Sequence, residues 1–275
     1  MPELPVTKYH GCGNDFLIVH AHDADGLDLA PLIVSACDRR TGIGADGLIV
    51  VEPEPLKMRY YNADASPAPM CGNGIRCFAR FCLDEGLASE DCFSVRTGAG
   101  LKTVRIISRD PFLAQIAMGK PDYDPAAIHT EGPVWDDPLE VMGRSVRLYS
   151  FFMSTVHTVW FVDDAMDDEL LPIAEAIHRH PMFGEKTNVN MVQVTGRDTL
   201  RMRTWERGAG LTLACGTGAC AAALTAWKLD LCGAETTVLL PKGELHISID
   251  ADEQVWMTGP AVKTMKGVYL WKPTN

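Results

Sequence analysis

The hydrophobic positions fall mostly into short runs. Phe16 to Val19, Gly47 to Val51, Lys57 to Tyr61, Phe93 to Val95, Leu101 to Ile107 and Leu113 to Met118 are brief and either β-branched or alternating, which predicts strands. Two stretches change period. After Gly74 the apolar residues Ile75, Phe78 and Cys82 recur at helical spacing until Gly86; after Gly218 an alanine-rich run reaches Trp227 and Leu231 before Gly233. Both predicted helices begin at the same four-residue pattern, Cys-Gly-x-Gly, at Cys71 and at Cys215.

The recurrence extends beyond the helices. Met58-Arg59 to Cys71-Gly72 and Met202-Arg203 to Cys215-Gly216 each span 13 residues. Gly98 to Ile106 resembles Pro241 to Ile249, and Met118 to Pro121 resembles Met257 to Pro260. Four landmarks in the same order and spacing point to an internal duplication, with periods too long for a solenoid. The expected class is therefore α/β (α+β): two pseudo-symmetric domains, each of mixed strands with one conspicuous helix, facing each other across a cleft. The expected limits are residues 1–120 and 121–263, with the boundary near Pro121 to Pro125.

Composition narrows the function. A chain of 275 residues that is 47% hydrophobic can build two cores. Its 25 Lys and Arg against 36 Asp and Glu give a net charge of −11, the wrong sign for tracking phosphates, so nucleic acid is not an expected partner. No apolar run approaches the roughly 20 residues that span a bilayer. Nine cysteines, an odd number, with no basic-then-apolar start, predict reduced thiols in a cytoplasmic protein.

A thiol at a glycine-rich helix start is placed for reactivity. The helix N-terminus carries about half a positive charge and unpaired N–H groups, which favour a thiolate and can hold a carboxylate. With two such turns, one carboxylate can sit between two helix starts, with Cys71 on one side of its α-carbon and Cys215 on the other. A thiolate then removes the α-proton from one face while a thiol delivers a proton to the other, and the carbon inverts. No cofactor is needed in principle. Zinc is disfavoured, since no C-x-x-C or H-x-x-x-H spacing occurs. A disulfide between Cys71 and Cys215 is read as an oxidised, inactive state. The other seven cysteines are read as packing residues.

The strings His10-Gly11-Cys12-Gly13-Asn14-Asp15-Phe16, Thr41 to Asp46, Tyr61-Asn62-Ala63-Asp64, Met70 to Cys77, Thr187-Asn188-Val189-Asn190 and Glu206-Arg207-Gly208 through Cys220 resemble the diaminopimelate epimerase family. The resemblance runs almost end to end. It implies two β-barrel-like halves around central helices, with residues 264–275 returning to the first, and a cofactor-independent epimerase converting LL-diaminopimelate to the meso form, usually as a homodimer. It implies Cys71 and Cys215 as the acid/base thiols, and Gly72, Asn73, Gly74, Gly216, Thr217 and Gly218 as donors to the reacting carboxylate. Asn62, Asn188, Glu206 and Arg207 would read the distal amino-acid head, Asn14 would contact substrate, and His157 would orient or polarise Cys71.

Three departures stand out. Thr155-Val156-His157 occupies the family's usual Asn-Pro-His, Gly47 its common Gln, and Gly208 to Thr212 its Gly-x-Gly-Glu-Thr. These leave open a racemase of another amino acid within the same family. A non-catalytic small-molecule binder, or an isomerase of related fold using a carboxylate, is the alternative of another kind, and the repeated cysteine argues against both.

Overall fold

The computed structural model describes residues 3–271. The chain divides into two compact units, one comprising residues up to Ile116 and from Gly259 onward, the other Ala117–Thr258. In the first unit the chain runs through β1 (Glu3–Gly11), β2 (Asn14–His20), the single turn α1 (Ala21–Ala24), α2 (Leu29–Cys37), β3 (Gly47–Pro53), β4 (Leu56–Asn62), β5 (Pro67–Ala68), α3 (Gly72–Asp84), β6 (Cys92–Thr97), β7 (Gly100–Arg109) and β8 (Phe112–Gly119). The second contains β9 (Val134–Val141), β10 (Arg144–Phe152), β11 (Val156–Phe161), α4 (Leu171–His178), β12 (Asn188–Gly196), β13 (Thr199–Glu206), β14 (Gly210–Thr212), α5 (Gly216–Lys228), β15 (Glu235–Leu240), β16 (Gly243–Ile249) and β17 (Val255–Pro260). The last strand, β18 (Val262–Leu270), pairs with β1 in the first unit. Residues 272–275, part of the segment expected to return there, lie outside the described residues.

Strand pairing repeats between the units. In the first, β1 lies antiparallel to β2, β2 parallel to β3, β3 antiparallel to β4, β4 parallel to β6, and β6, β7 and β8 follow as an antiparallel meander. In the second, β10 to β13 and β15 to β17 repeat that order and those directions. The one difference is the outer partner. β10 takes β9, which precedes it, whereas β1 takes β18 from the far end of the sequence. The units divide inside β8 and β17, a few residues ahead of the limits expected from the prolines, because those strands run on without a break.

Each unit buries one 13-residue helix on almost every face. Helix α3 packs against β1 to β4 and β18, and α5 against β11 to β13, β15 and β16. The alanines at 219, 221–223 and 226 of α5 are fully buried, and their small side chains let the strands close on the helix. On the other face of the first sheet, Leu32, Ile33 and Ala36 of α2 pack with Leu17, Val19, Leu48 and Val50; in the second, Ile173, Ala174 and Ile177 of α4 pack with Leu148, Val156, Val189 and Met191. Strands covered on both sides read as continuous apolar runs, as Leu48-Ile49-Val50-Val51 does. Helices α2 and α4 supply the crossovers that the parallel pairs β2–β3 and β11–β12 require. Neither was predicted from the sequence.

Candidate active site

Cys71 caps α3. Its backbone is extended (φ −133°), and its Sγ accepts the Gly74 N–H at 3.4 Å. A Cβ at Gly74 would press within 3.3 Å of Cys71, Ile49 and Met58, so glycine keeps that turn tight against the sulfur. Around Cys71 the amides are oriented by charged anchors. Asn14 donates to Asp46 at 2.6 Å, leaving its Oδ1 to accept from Asn73 at 3.2 Å and from the Cys71 thiol at 3.6 Å. Asn73 Oδ1 accepts from the fully buried Arg76 at 2.9 Å, and Arg76 also donates to the Gly72 and Pro260 carbonyls. Asp46 in turn belongs to a cluster with Arg39, Asp15 and Lys8. Arg39 and Lys8 hold the Asp15 carboxyl below its ordinary value despite its burial.

Cys215 caps α5 in an equivalent extended conformation (φ −120°) but is buried, only 5% exposed. Burial, and then the Glu206 carboxylate beside it, raise its thiol well above the ordinary value; the Thr217 hydroxyl and the Gly218 N–H oppose that rise. The helix N-terminus was expected to pull both thiols toward neutrality. At Cys215 desolvation outweighs it. Glu206 also accepts a hydrogen bond of 2.5 Å from Thr212. Its proximity to Cys215 adds a role that the sequence had not suggested, because β13 and the start of α5 are brought together only by the fold.

The remaining candidate residues are held by contacts within their own units. Asn62 accepts from Tyr60 at 3.0 Å and donates to Ser66 at 2.9 Å. Gly47 is explained by the same tyrosine: a Cβ at position 47 would collide with the Tyr61 carbonyl and the Tyr60 ring, so no side chain fits there. Asn188 donates to the Val156 carbonyl and accepts from the Arg207 N–H at 2.8 Å, so its amide pins the turn that carries Arg207. The Arg207 guanidinium donates to Thr155 Oγ1 at 2.8 Å and to the Glu185 carbonyl at 3.2 Å. Thr155, the hydroxyl in place of the family amide, thus steadies the guanidinium. His157, fully buried, lies 2.8 Å from Thr217 Oγ1, which is 3.5 Å from Cys215 Sγ. Within its unit the contact of His157 therefore leads to Cys215. Burial, with Arg207 nearby, pulls its pKa down to about 3, so the ring is neutral at any ordinary pH.

All nine cysteines stand as thiols. Cys12, Cys37, Cys77, Cys82, Cys220 and Cys232 are buried, as packing residues should be, and burial pushes the Cys37 thiol up to about 12. Cys92 departs from that expectation: it lies exposed on β6. Among the described residues no group of three or more His, Cys, Asp or Glu side chains is placed to hold a metal ion, and no helix is long and apolar enough to cross a membrane.

A model of the family described as diaminopimelate epimerase matches residues 6–123 and 150–264. The chain is 43% identical over 272 residues to a diaminopimelate epimerase of Moorella thermoacetica, covering 95% of this chain and 97% of that one. It is 39% identical over 277 residues to that of Halothermothrix orenii, covering 96% and 97%. Among solved structures, a hydroxyproline epimerase from Agrobacterium vitis superimposes with a TM-score of 0.69 at 12% identity, covering 99% of this chain and 94% of that one. A phenazine biosynthesis protein of Bacillus anthracis gives 0.65 at 15%, covering 98% and 100%. These structural likenesses show a shared mixed α/β fold. The sequence matches reach further, spanning both helix-capping cysteines and nearly the whole of each relative: the chain belongs to the diaminopimelate epimerase family of isomerases.

Proposed function

We propose that this chain interconverts LL- and meso-diaminopimelate by proton transfer at one α-carbon, with Cys71 and Cys215 as the two acid/base groups. One observation carries the reading: two units of the same topology each present a cysteine at the N-cap of a buried 13-residue helix. In the forward step a thiolate takes the α-proton, forming an S–H bond as the C–H bond breaks. The electron pair left on carbon is delocalised into the substrate carboxylate, which the N–H groups of the two helix starts, at Gly72 to Gly74 and Gly216 to Gly218, stabilise. The second thiol gives its proton to the opposite face and becomes a thiolate. Charge and atoms balance, and turnover exchanges the protonation states of the two sulfurs. At Cys215 the Glu206 carboxylate favours the protonated thiol, the form that delivers the proton, while Thr217 and Gly218 donate to the sulfur and favour the thiolate left behind.

Arg207 supplies the charge for the distal carboxylate and Glu206 that for the distal ammonium, with Asn62, Asn188 and Asn14 completing or bracing the surroundings. Homodimeric assembly and a cytoplasmic location belong to the same proposal, the former checked by sedimentation of the purified chain. Incubating LL-diaminopimelate in heavy water with reduced enzyme should give the meso form carrying solvent deuterium at the inverted carbon; no incorporation overturns the reading. A second reading, a racemase of another amino acid, is favoured by Thr155 beside Arg207 and by Tyr60 filling the space next to Gly47. Deuterium exchange across a panel of L-amino acids separates the two.

A further inference from the structure

The motif Thr187-Asn188-Val189-Asn190 contains an asparagine that the proposed mechanism does not use. Asn190, on β12, is fully buried, and each of its polar atoms has a defined direction. Its Nδ2 lies 3.1 Å from the Thr158 carbonyl, which can only accept, so the nitrogen end of the amide points there. Its Oδ1 accepts from Thr204 at 3.0 Å. The same Nδ2 reaches His157 Nδ1 at 3.2 Å. A donor facing Nδ1 requires that nitrogen to be unprotonated, and in a neutral imidazole the proton must then reside on Nε2. Nε2 faces Thr217 Oγ1 at 2.8 Å, so His157 donates to the hydroxyl, whose own proton is turned to the remaining neighbour, Cys215 Sγ at 3.5 Å.

We infer that Asn190 is a positioning residue: by fixing the Nε2–H tautomer of His157 it directs the Thr217 hydroxyl to donate to Cys215, so that the sulfur is held as a hydrogen-bond acceptor. With the opposite tautomer, Nε2 would accept the Thr217 proton and Cys215 would lose that donor. Gly218 belongs to the same device, since a Cβ there would collide with Asn190 Oδ1 and come within 3.2 Å of Cys215 Sγ. The charged and titratable surroundings are Glu206 of β13 beside Cys215 and Arg207 beside His157; neither changes which ring nitrogen faces which partner. The catalytic significance rests on the proposed role of Cys215, but the tautomer does not.

The first test is therefore independent of activity. In wild-type protein labelled with 15N-histidine, the His157 signals, assigned by their loss in His157→Gln, should show Nδ1 unprotonated and Nε2 protonated. The reverse pattern overturns the inference. The second test uses Asn190→Asp, which replaces the donor by an acceptor at constant shape. Alkylation of Cys215 by iodoacetamide at a fixed mildly alkaline pH should slow about fivefold, the worth of one hydrogen bond of about 1 kcal/mol, with Cys71 labelling unchanged. In a Thr217→Val background the same substitution should add no further slowing, because the relay is already cut. Slowing that persists in that background would mean that the new carboxylate acts on Cys215 directly, and would overturn the relay. If the family reaction fails while both of these results hold, it is the proposed substrate that is wrong and not the role of Asn190.

Discussion

The two cysteine half-sites start from the same local pattern and differ in what surrounds it. Cys71 is half-buried and faces amides: Asn14 and Asn73, each oriented from behind by a charged residue, Asp46 on one side and Arg76 on the other. Cys215 is buried and has a carboxylate beside it, with a hydroxyl-imidazole-amide relay behind. Duplication thus preserved the backbone device, a cysteine at a helix N-cap, while the side chains that govern each proton diverged. Glu206 and Arg207 both lie in the second unit, so under the proposed function that unit reads the second charged head.

The strongest way to break the comparison is to remove either sulfur. Cys71→Ser and Cys215→Ser should each lower kcat by about 10²–10⁴-fold, the usual contribution of a positioned acid or base, with KM little changed. If one variant kept near-normal turnover, the half-sites would not be partners in one step. Arg207→Ala comes next. It should raise KM for diaminopimelate about 10–150-fold, as expected for losing a charge-assisted hydrogen bond of roughly 1.5–3 kcal/mol, while the half-site around Cys71 keeps its alkylation rate.

Glu206→Gln sharpens the electrostatic difference. Burial raises the Cys215 thiol first and the Glu206 charge second, so removing the charge must lower it; Cys215 should alkylate at lower pH, and Cys71 should not move. The sign carries into stability. A thiol raised in the folded state favours folding while protonated, and that contribution is lost as pH rises above about 9 through the folded value. Glu206→Gln should make the alkaline loss in thermal unfolding shallower.

Some of this was legible in the sequence and some was not. The central helices announced themselves because a glycine-rich start is followed by a period change, and the predicted strands of the first half match β2, β3, β4, β6, β7 and β8 to within a few residues. Helix α2 did not, since Leu-Ala-Pro-Leu-Ile-Val is as dense in apolar residues as a buried strand and contains a proline. The pairing of β18 with β1 joins the two ends of the chain, and no local pattern encodes it. At the site, the cysteines and their glycines were readable from repetition. Hydrogen-bond direction was not: one N–H of Asn188 goes to the Val156 carbonyl and its Oδ1 accepts from the Arg207 N–H, so the residue also braces the turn that carries Arg207. Gly47 departs from the family pattern, and only the positions of the Tyr61 carbonyl and the Tyr60 ring show that no side chain fits.

Thr155 gives the finest test, because it probes how the second unit holds its cation without touching either sulfur. Its hydroxyl accepts one guanidinium N–H of Arg207 at 2.8 Å, and the Glu185 carbonyl accepts another at 3.2 Å. Thr155→Val keeps the shape of the side chain and deletes the acceptor, so the guanidinium retains one anchor and gains freedom that substrate binding must remove. The cost of one such bond, about 0.5–1.5 kcal/mol, corresponds to a rise in KM of roughly two- to twelvefold, with kcat unchanged. Thr155→Asn, which restores an acceptor, should recover most of that loss. A fall in kcat at constant KM would instead connect Thr155 to the proton-transfer step through its neighbour His157, and the division of labour between a charge-reading unit and an amide-lined one would have to be redrawn.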